Sequence, residues 1–130
     1  MHITLEADYA VRIVIFLAQQ KKRADANTIA ENTGVSLRFS LKILRNLVAC
    51  GIAKSFKGTQ GGYELNRKPE EITLKELLEA VQGKYVFSRC LGGTECSKPN
   101  NPSCKVQKIF REITDMVQQK LSEVSIAELM

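Results

Sequence analysis

Residues 25–49 of this chain read DANTIAENTGVSLRFSLKILRNLVA, and this stretch decides the fold. Asp25 and Ser36 are of the residue types that cap helix N-termini, and Gly34 suits the left-handed conformation that ends a helix. The pattern predicts one helix over 26–33 and a second from Ser36 to about Ala49. Two helices joined by so short a glycine-containing turn form a helix-turn-helix.

The second of these helices has one basic and one apolar face. Arg38, Lys42 and Arg45 recur at i, i+4 and i+7, whereas Ile43 and its apolar neighbours lie opposite. Such a basic stripe is often only solvated surface, but its place in a helix-turn-helix favours contact with a phosphate-lined groove. Ser36, at the start of the helix, joins these three as a candidate DNA contact.

A β-hairpin is predicted directly after this helix. Short alternating segments at 51–56 and 63–65 surround a glycine-rich turn, which is typical of the wing of a winged helix. Glycine allows close approach of the backbone to phosphate and lysine adds charge. The candidate DNA contacts in this turn are Lys57, Gly58, Gly61 and Gly62. A nucleotide-binding phosphate loop is the alternative, but Walker spacing is absent.

Helices are also predicted on either side of this unit. Thr4 can cap a helix over 5–19, and Thr73 with Glu76 forms a capping box for a helix that ends near Gly83. Residues 84–103 show no periodicity. Beyond them lies a long helix whose apolar stripe either packs on its own domain or forms a dimer. Its members are Val106, Ile109, Phe110, Ile113, Val117, Leu121 and Val124.

The predicted fold class is therefore mainly α with a small β-hairpin wing. A winged helix-turn-helix domain is expected at 1–82, a cysteine-bearing loop at 83–104, and a dimerisation helix and tail at 105–130. A chain of 130 residues with 44% hydrophobic composition suits one core. No apolar run approaches the roughly 18 to 20 residues that span a bilayer, and no signal peptide is evident, so a cytoplasmic protein without membrane contact is expected.

The charge is concentrated in the first half of the chain. Residues 1–68 hold 11 Lys/Arg against 5 Asp/Glu, a net +6, and residues 69–130 hold 8 against 9, a net −1. This asymmetry suggests a polyanion-binding face joined to a part with another task, although a solvated basic surface would look the same.

Three of the four cysteines are clustered. Cys50 stands alone after the basic helix and is interpreted as a small packing residue. Cys90, Cys96 and Cys104 are separated by five and then seven residues. Thiolates are preferred ligands of iron-sulfur clusters, and a loop rich in glycine and proline can wrap around one.

In these features the chain resembles the IscR/NsrR family of bacterial winged-helix regulators over nearly its whole length. The motifs that carry the resemblance are Asp8-Tyr9-Ala10-Val11-Arg12, Ile29-Ala30-Glu31 before Gly34, Lys57-Gly58, Gly61-Gly62-Tyr63-Glu64-Leu65, Glu71-Ile72-Thr73, Gly83 and the three cysteines. The resemblance implies a homodimer on a roughly palindromic operator in double-stranded DNA, with recognition helices in adjacent major grooves and wings at the minor groove.

The resemblance also implies a sensor of redox or nitric-oxide stress that carries a 2Fe-2S or 4Fe-4S cluster. Repression of transcription is the mode of action expected with it. The second cysteine gap is longer than the family's usual one. In one branch a histidine three residues beyond the last cysteine is the fourth ligand, but Gln107 stands there. In the nitric-oxide-sensing branch an aspartate of the partner subunit is the fourth ligand, and Asp8 matches it. The alternative for Asp8 is an ion pair with Arg12 at i+4.

Three rival functions stay open at this point. The scaffold could act without a cluster, through a cysteine thiol switch or a partner protein, or the cysteines could hold a structural zinc, which prefers tighter paired spacing. An enzyme or electron carrier is the third. His2 is the only histidine and is expected to be exposed, and no catalytic arrangement of Ser/His/Asp or Cys/His type can be assembled, so a non-enzyme is predicted.

Overall fold

The computed structural model describes residues 2–91 and 104–130. Its main elements are five helices and two strands. The helices are α1 (Leu5–Gln19), α2 (Ala26–Thr33), α3 (Leu37–Ala49), α4 (Leu74–Gln82) and α5 (Lys105–Glu123), and the strands are β1 (Ala53–Phe56) and β2 (Gly62–Leu65). Short 3₁₀ turns cover Pro69–Glu71, Arg89–Leu91 and Ile126–Leu129. The predicted fold class, mainly helical with a small β wing, is confirmed.

The helix starts follow from local capping chemistry. The Thr4 and Asp25 side chains accept hydrogen bonds from Ala7 and Thr28, at 3.1 and 2.8 Å. The Thr28 backbone N–H lowers the pKa of Asp25 below its ordinary value. Gly34 ends α2 at a φ of 72°, where a side chain would be strained. These caps confirm the predicted helix-turn-helix.

One hydrophobic core joins the three N-terminal helices to α4 and to the end of the chain. Ile13, Ile29 and Leu44 are fully buried in it, as is Ile126 from the tail. The Ile126 N–H donates to the Ile72 carbonyl at 2.9 Å. The tail beyond α5 thus belongs to the same core as the N-terminal helices, and apolar burial of this kind is the main stabilising contribution.

Two local expectations were wrong. Thr73 caps α4 by accepting from the Glu76 N–H at 3.1 Å, but the Glu76 carboxylate binds Arg67 instead of closing a capping box. This carboxylate holds the pKa of Arg67 above its ordinary value. The other concerns residues 84–103, which are expected to lack regular structure: in the described part, 84–91, Arg89–Leu91 forms a 3₁₀ turn that contacts α5, and 92–103 lie outside the described residues.

Candidate nucleic-acid interface and cysteine segment

The exposed face of α3 is defined by the opposite face of the same helix. Ile43, Leu44 and Leu47 are fully buried in the core, and this fixes the rotation of α3 about its axis. Arg38 and Arg45 consequently point away from the core and are exposed. We call this surface the α3 face. It forms an open groove of about 860 Å³ lined by Leu37, Arg38, Phe39, Leu41, Lys42 and Arg45.

Lys42 departs from the single basic stripe that was predicted. Its Nζ lies 3.3 Å from Glu6 Oε2, and the Glu6 side chain is only 24% exposed. Glu6 also accepts from Asn46 Nδ2 at 3.4 Å. Lys42 is therefore turned toward α1, where its charge is partly compensated, and Arg38 and Arg45 carry most of the positive field of the α3 face.

Ser36 lies at the N-terminal end of this face. It is exposed, and its hydroxyl accepts from the Phe39 N–H at 3.2 Å as the N-cap of α3. The side chain therefore holds the first turn of α3 in place, and its part in DNA contact stays a prediction.

The hairpin turn presents Lys57 and Gly58 to solvent and uses its other glycines internally. A Cβ at Gly61 would lie 2.5 Å from the Phe56 carbonyl oxygen. Gly62 has a φ of 144°, and a Cβ there would lie 2.8 Å from the Ala24 carbonyl oxygen. The shape of the hairpin therefore requires glycine at positions 61 and 62, whereas Lys57 and Gly58 remain accessible to a ligand.

Arg23 anchors the hairpin, a role that the sequence analysis did not anticipate. Its guanidinium lies 3.3 Å from the centroid of the Phe56 ring and donates to the Gln60 carbonyl at 3.3 Å. Ala24 extends the sheet, since its N–H and carbonyl exchange hydrogen bonds with Tyr63. The sequence feature that could have indicated this role is the position of Arg23 beside Ala24, the residue that extends the sheet.

Two of the three clustered cysteines lie in the described residues, and Cys96 lies outside them. Cys90 is half-buried in the turn that contacts α5, with its Sγ 3.2 Å from Ser88 Oγ. Cys104 is the N-cap residue of α5, and its Sγ accepts from the Gln107 N–H at 3.4 Å. Within 2–91 and 104–130 no three His, Cys, Asp or Glu side chains form a group placed to hold a metal.

The cysteine segment is held against α5 by polar and aromatic contacts. Thr114, buried on α5, accepts from the Phe87 N–H at 3.0 Å, and Gln118 donates to the Tyr85 carbonyl at 2.7 Å. The rings of Phe87 and Phe110 meet edge to face at 5.2 Å. Residues 85–91 are thereby attached to α5 on the side of α4.

Asp8 makes the ion pair that was one of its two interpretations. Its Oδ2 lies 3.0 Å from Arg12 Nη2, and both side chains are half exposed. The alternative, a ligand role toward a partner subunit, stays a prediction. The expectation for Cys50 was wrong, because its side chain is exposed and not packed in the core. His2 is exposed, as expected.

The outer side of α5 carries exposed apolar residues. Val106, Ile109 and Met116 are 57, 51 and 72% exposed, whereas Phe110 and Ile113 are half-buried toward the rest of the protomer. Part of the apolar stripe therefore packs on its own chain, whereas its use in a dimer stays a prediction. None of the helices in the described ranges is long and apolar enough to cross a bilayer.

A helix-turn-helix with a hairpin wing, an exposed basic face and a long C-terminal helix matches a known family model. The model, described as "Rrf2: Iron-dependent Transcriptional regulator", matches residues 3–130. This chain belongs to the Rrf2 family. As a member it is a transcriptional regulator and not an enzyme, and Rrf2 membership implies DNA binding.

Two relatives are similar to this chain along nearly its whole length. The "HTH-type transcriptional regulator NsrR" of Shouchella clausii is 24% identical over 131 aligned positions, which cover 99% of this chain and 88% of the relative. The "HTH-type transcriptional regulator IscR" of Aliivibrio salmonicida is 27% identical, with 100% and 77% covered.

A solved structure shares the Rrf2-type fold. That structure, CymR of B. subtilis, titled "the Global Cysteine Regulator", superimposes with a TM-score of 0.81. The two chains are 22% identical, with 99% of this chain and 95% of the other covered. The match shows that the helix-turn-helix, hairpin and long helix are arranged alike.

Proposed function

We propose that this Rrf2-family regulator binds a palindromic operator as a homodimer, with α3 in the major groove and the hairpin at the minor groove. The observation that carries the proposal is the α3 face, on which Arg38 and Arg45 are exposed while the other side of the helix is buried. Arginine forms bidentate hydrogen bonds with guanine edges and with phosphates. Such a surface suits the DNA binding that a transcriptional regulator of this fold performs.

The N-terminal end of α3 and the tip of the hairpin are proposed to contact the sugar-phosphate backbone of DNA. Ser36 lies at the N-terminus of α3, where unpaired N–H groups favour a phosphate. Lys57 and Gly58 are exposed at the tip, and their proposed role is to contact the minor-groove backbone. Gly61 and Gly62 contribute by fixing the shape of the hairpin.

Alanine substitution of the two arginines tests the DNA interface. Arg38→Ala and Arg45→Ala should each weaken binding to an operator selected from random duplexes, and each lost phosphate contact should reduce the salt slope by about one. A base contact would change the preferred sequence instead. Lys84→Ala, an exposed cation that lies in neither α3 nor α5, is the matched control. Binding that is indifferent to both arginines would reject the α3 face.

The homodimer is proposed to form through α5. Val106, Ile109 and Met116 expose apolar area on one helix, and burying such area against a second copy is favourable. Ile109→Lys should shift the protein to the monomer in sedimentation equilibrium, because a lysine would be buried without a partner. A monomeric wild-type protein would reject the dimer.

Sensing is proposed to reside in an iron-sulfur cluster held by Cys90, Cys96 and Cys104, with Asp8 of the partner subunit as fourth ligand. Three thiolates and a carboxylate suit iron, and the family description names iron dependence. Such a cluster supplies reactivity toward oxygen and nitric oxide. Asp8 Oδ2 is paired with Arg12 at 3.0 Å, so ligation through that oxygen would require this ion pair to break.

Iron and sulfide analysis of anaerobically purified protein tests the cluster. Iron and sulfide in equal amounts, with absorbance that changes on addition of nitric oxide, would support it. Zinc, or no metal together with oxidant-sensitive DNA binding, would instead indicate a structural zinc or a thiol switch. Loaded and metal-free protein should differ in operator affinity at fixed salt by about 5- to 150-fold, the usual range of allosteric coupling. Equal affinities would reject sensing.

A further inference from the structure

Apolar side chains are interleaved with the arginines on the α3 face. Leu37 and Leu41 are 41 and 39% exposed, although a leucine on a surface helix is more often turned to the core. Both line the same groove as Arg38 and Arg45. The face therefore offers apolar contact together with positive charge. Non-specific attraction to phosphate requires only the charge.

Three apolar residues, Leu37, Phe39 and Leu41, line the groove of the α3 face, and Leu41 lies between Arg38 and Arg45 in the sequence of the helix. The Phe39 ring meets Tyr9 of α1 edge to face at 5.7 Å, so it is turned toward α1. Leu41 also lines a second groove of about 220 Å³ between α3 and the hairpin, together with Arg45 and Tyr63. Leu41 is thus shared by the two grooves that a ligand of α3 and the wing would occupy.

Charge complementarity favours DNA as the occupant of these grooves. Arg38 and Arg45 flank Leu41, and none of the residues that line the two grooves is acidic. The major groove of DNA presents acceptors for arginine and one apolar group, the C5 methyl of thymine. An exposed leucine between two arginines matches that combination.

We propose that Leu41 recognises a thymine methyl group in each operator half-site, between bases or phosphates held by Arg38 and Arg45. This inference rests on the proposed function, since it requires α3 to lie in the major groove. It assigns sequence specificity to an apolar side chain and predicts operators with thymine at a fixed position of each half-site.

Replacement of thymine by deoxyuridine tests the proposal, because it removes only the methyl group. Operators are selected from random duplexes with the full-length wild-type protein, and affinities are measured by fluorescence anisotropy at fixed salt. Deoxyuridine at the critical position should weaken wild-type binding about fourfold for one half-site and about fifteenfold for both, from the transfer energy of a methyl group. Leu41→Ala should bind the thymine operator correspondingly more weakly and should not distinguish it from the deoxyuridine operator.

Leu129→Ala is the matched control, because Leu129 is 38% exposed in the turn Ile126–Leu129 and lines neither groove. It should retain the wild-type discrimination, and circular dichroism should show both variants folded. If no thymine shows a methyl effect, or if Leu41→Ala discriminates as the wild type does, the assignment of Leu41 is overturned while arginine-dependent DNA binding stands. If the protein selects no DNA sequence, the proposed function fails as well.

Discussion

The ion pair between Glu6 and Lys42 predicts that removing a negative charge from α1 strengthens DNA binding. In Glu6→Gln the amide keeps the size of the side chain and can still accept from Asn46, now at 3.4 Å from the carboxylate. Lys42 is 3.3 Å from Glu6 and its side chain is 61% exposed, so it becomes free to reach a phosphate. A surface ion pair is worth about 0 to 1 kcal/mol.

The expected gain in affinity follows from that figure. DNA binding by Lys42 in the wild type must first replace the interaction with Glu6, and this cost disappears in the variant. A gain of about 1 kcal/mol corresponds to about a fivefold lower Kd at low salt. If Lys42 gains one phosphate contact, the salt slope should become steeper by about 0.9.

Fluorescence anisotropy with a selected operator over a range of salt concentrations measures both quantities. Glu70→Gln is the control, because it makes the same change in net charge at an exposed position of the Pro69–Glu71 turn. Adding Lys42→Ala to Glu6→Gln should abolish the gain. An affinity of Glu6→Gln equal to or below that of the wild type, in a folded protein, would refute the reasoning.

Three further predictions concern stability. Gly62→Ala should lower the free energy of unfolding by about 1 to 3 kcal/mol in urea denaturation, because its φ of 144° and its approach to Ala24 both exclude a Cβ; an equal loss in Gly58→Ala, where space is open, would show that the Ala24 contact is unimportant. Ile126→Ala should cost about 2 to 5 kcal/mol, since Ile126 is fully buried, and a loss no larger than that of the exposed Leu129→Ala would contradict the place of the tail in the core. The lowered pKa of Asp25 means that its stabilising contribution is present above its unfolded value of 3.8 and is lost as pH falls through the folded value. The stability of Asp25→Asn relative to the wild type should therefore improve as pH drops below about 4, and a difference independent of pH would contradict the cap.

The helices and their ends could be predicted because they depend on residues close together in the chain. Capping by Thr4, Asp25 and Ser36 involves a donor three residues away in each case. The left-handed Gly34 is equally local. Residue type and spacing carry this information directly.

Contacts between distant segments could not be predicted in the same way. Lys42 and Glu6 are 36 residues apart, and Arg23 reaches a hairpin carbonyl 37 residues away. Helical spacing places Lys42 on the polar half of α3 but does not say which neighbouring helix that half meets. The same reason explains the exposed Cys50, since the burial of a residue after a helix depends on what packs beside it.

The arrangement of the helices limits how a change at the cysteines can reach the α3 face. Within one protomer, residues 85–91 contact α5, which packs on α4, and α4 in turn contacts α1 and α3. That route crosses two helix interfaces, and the second, between α4 and the N-terminal helices, lies in the closely packed core, which resists small displacements. Asp8 lies on α1 two residues from Glu6, and Glu6 contacts Lys42 on α3 directly. If Asp8 ligates a cluster as proposed, a change there would act on α1, which contacts α3 directly, and would cross fewer helix interfaces than a change carried through α5 and α4.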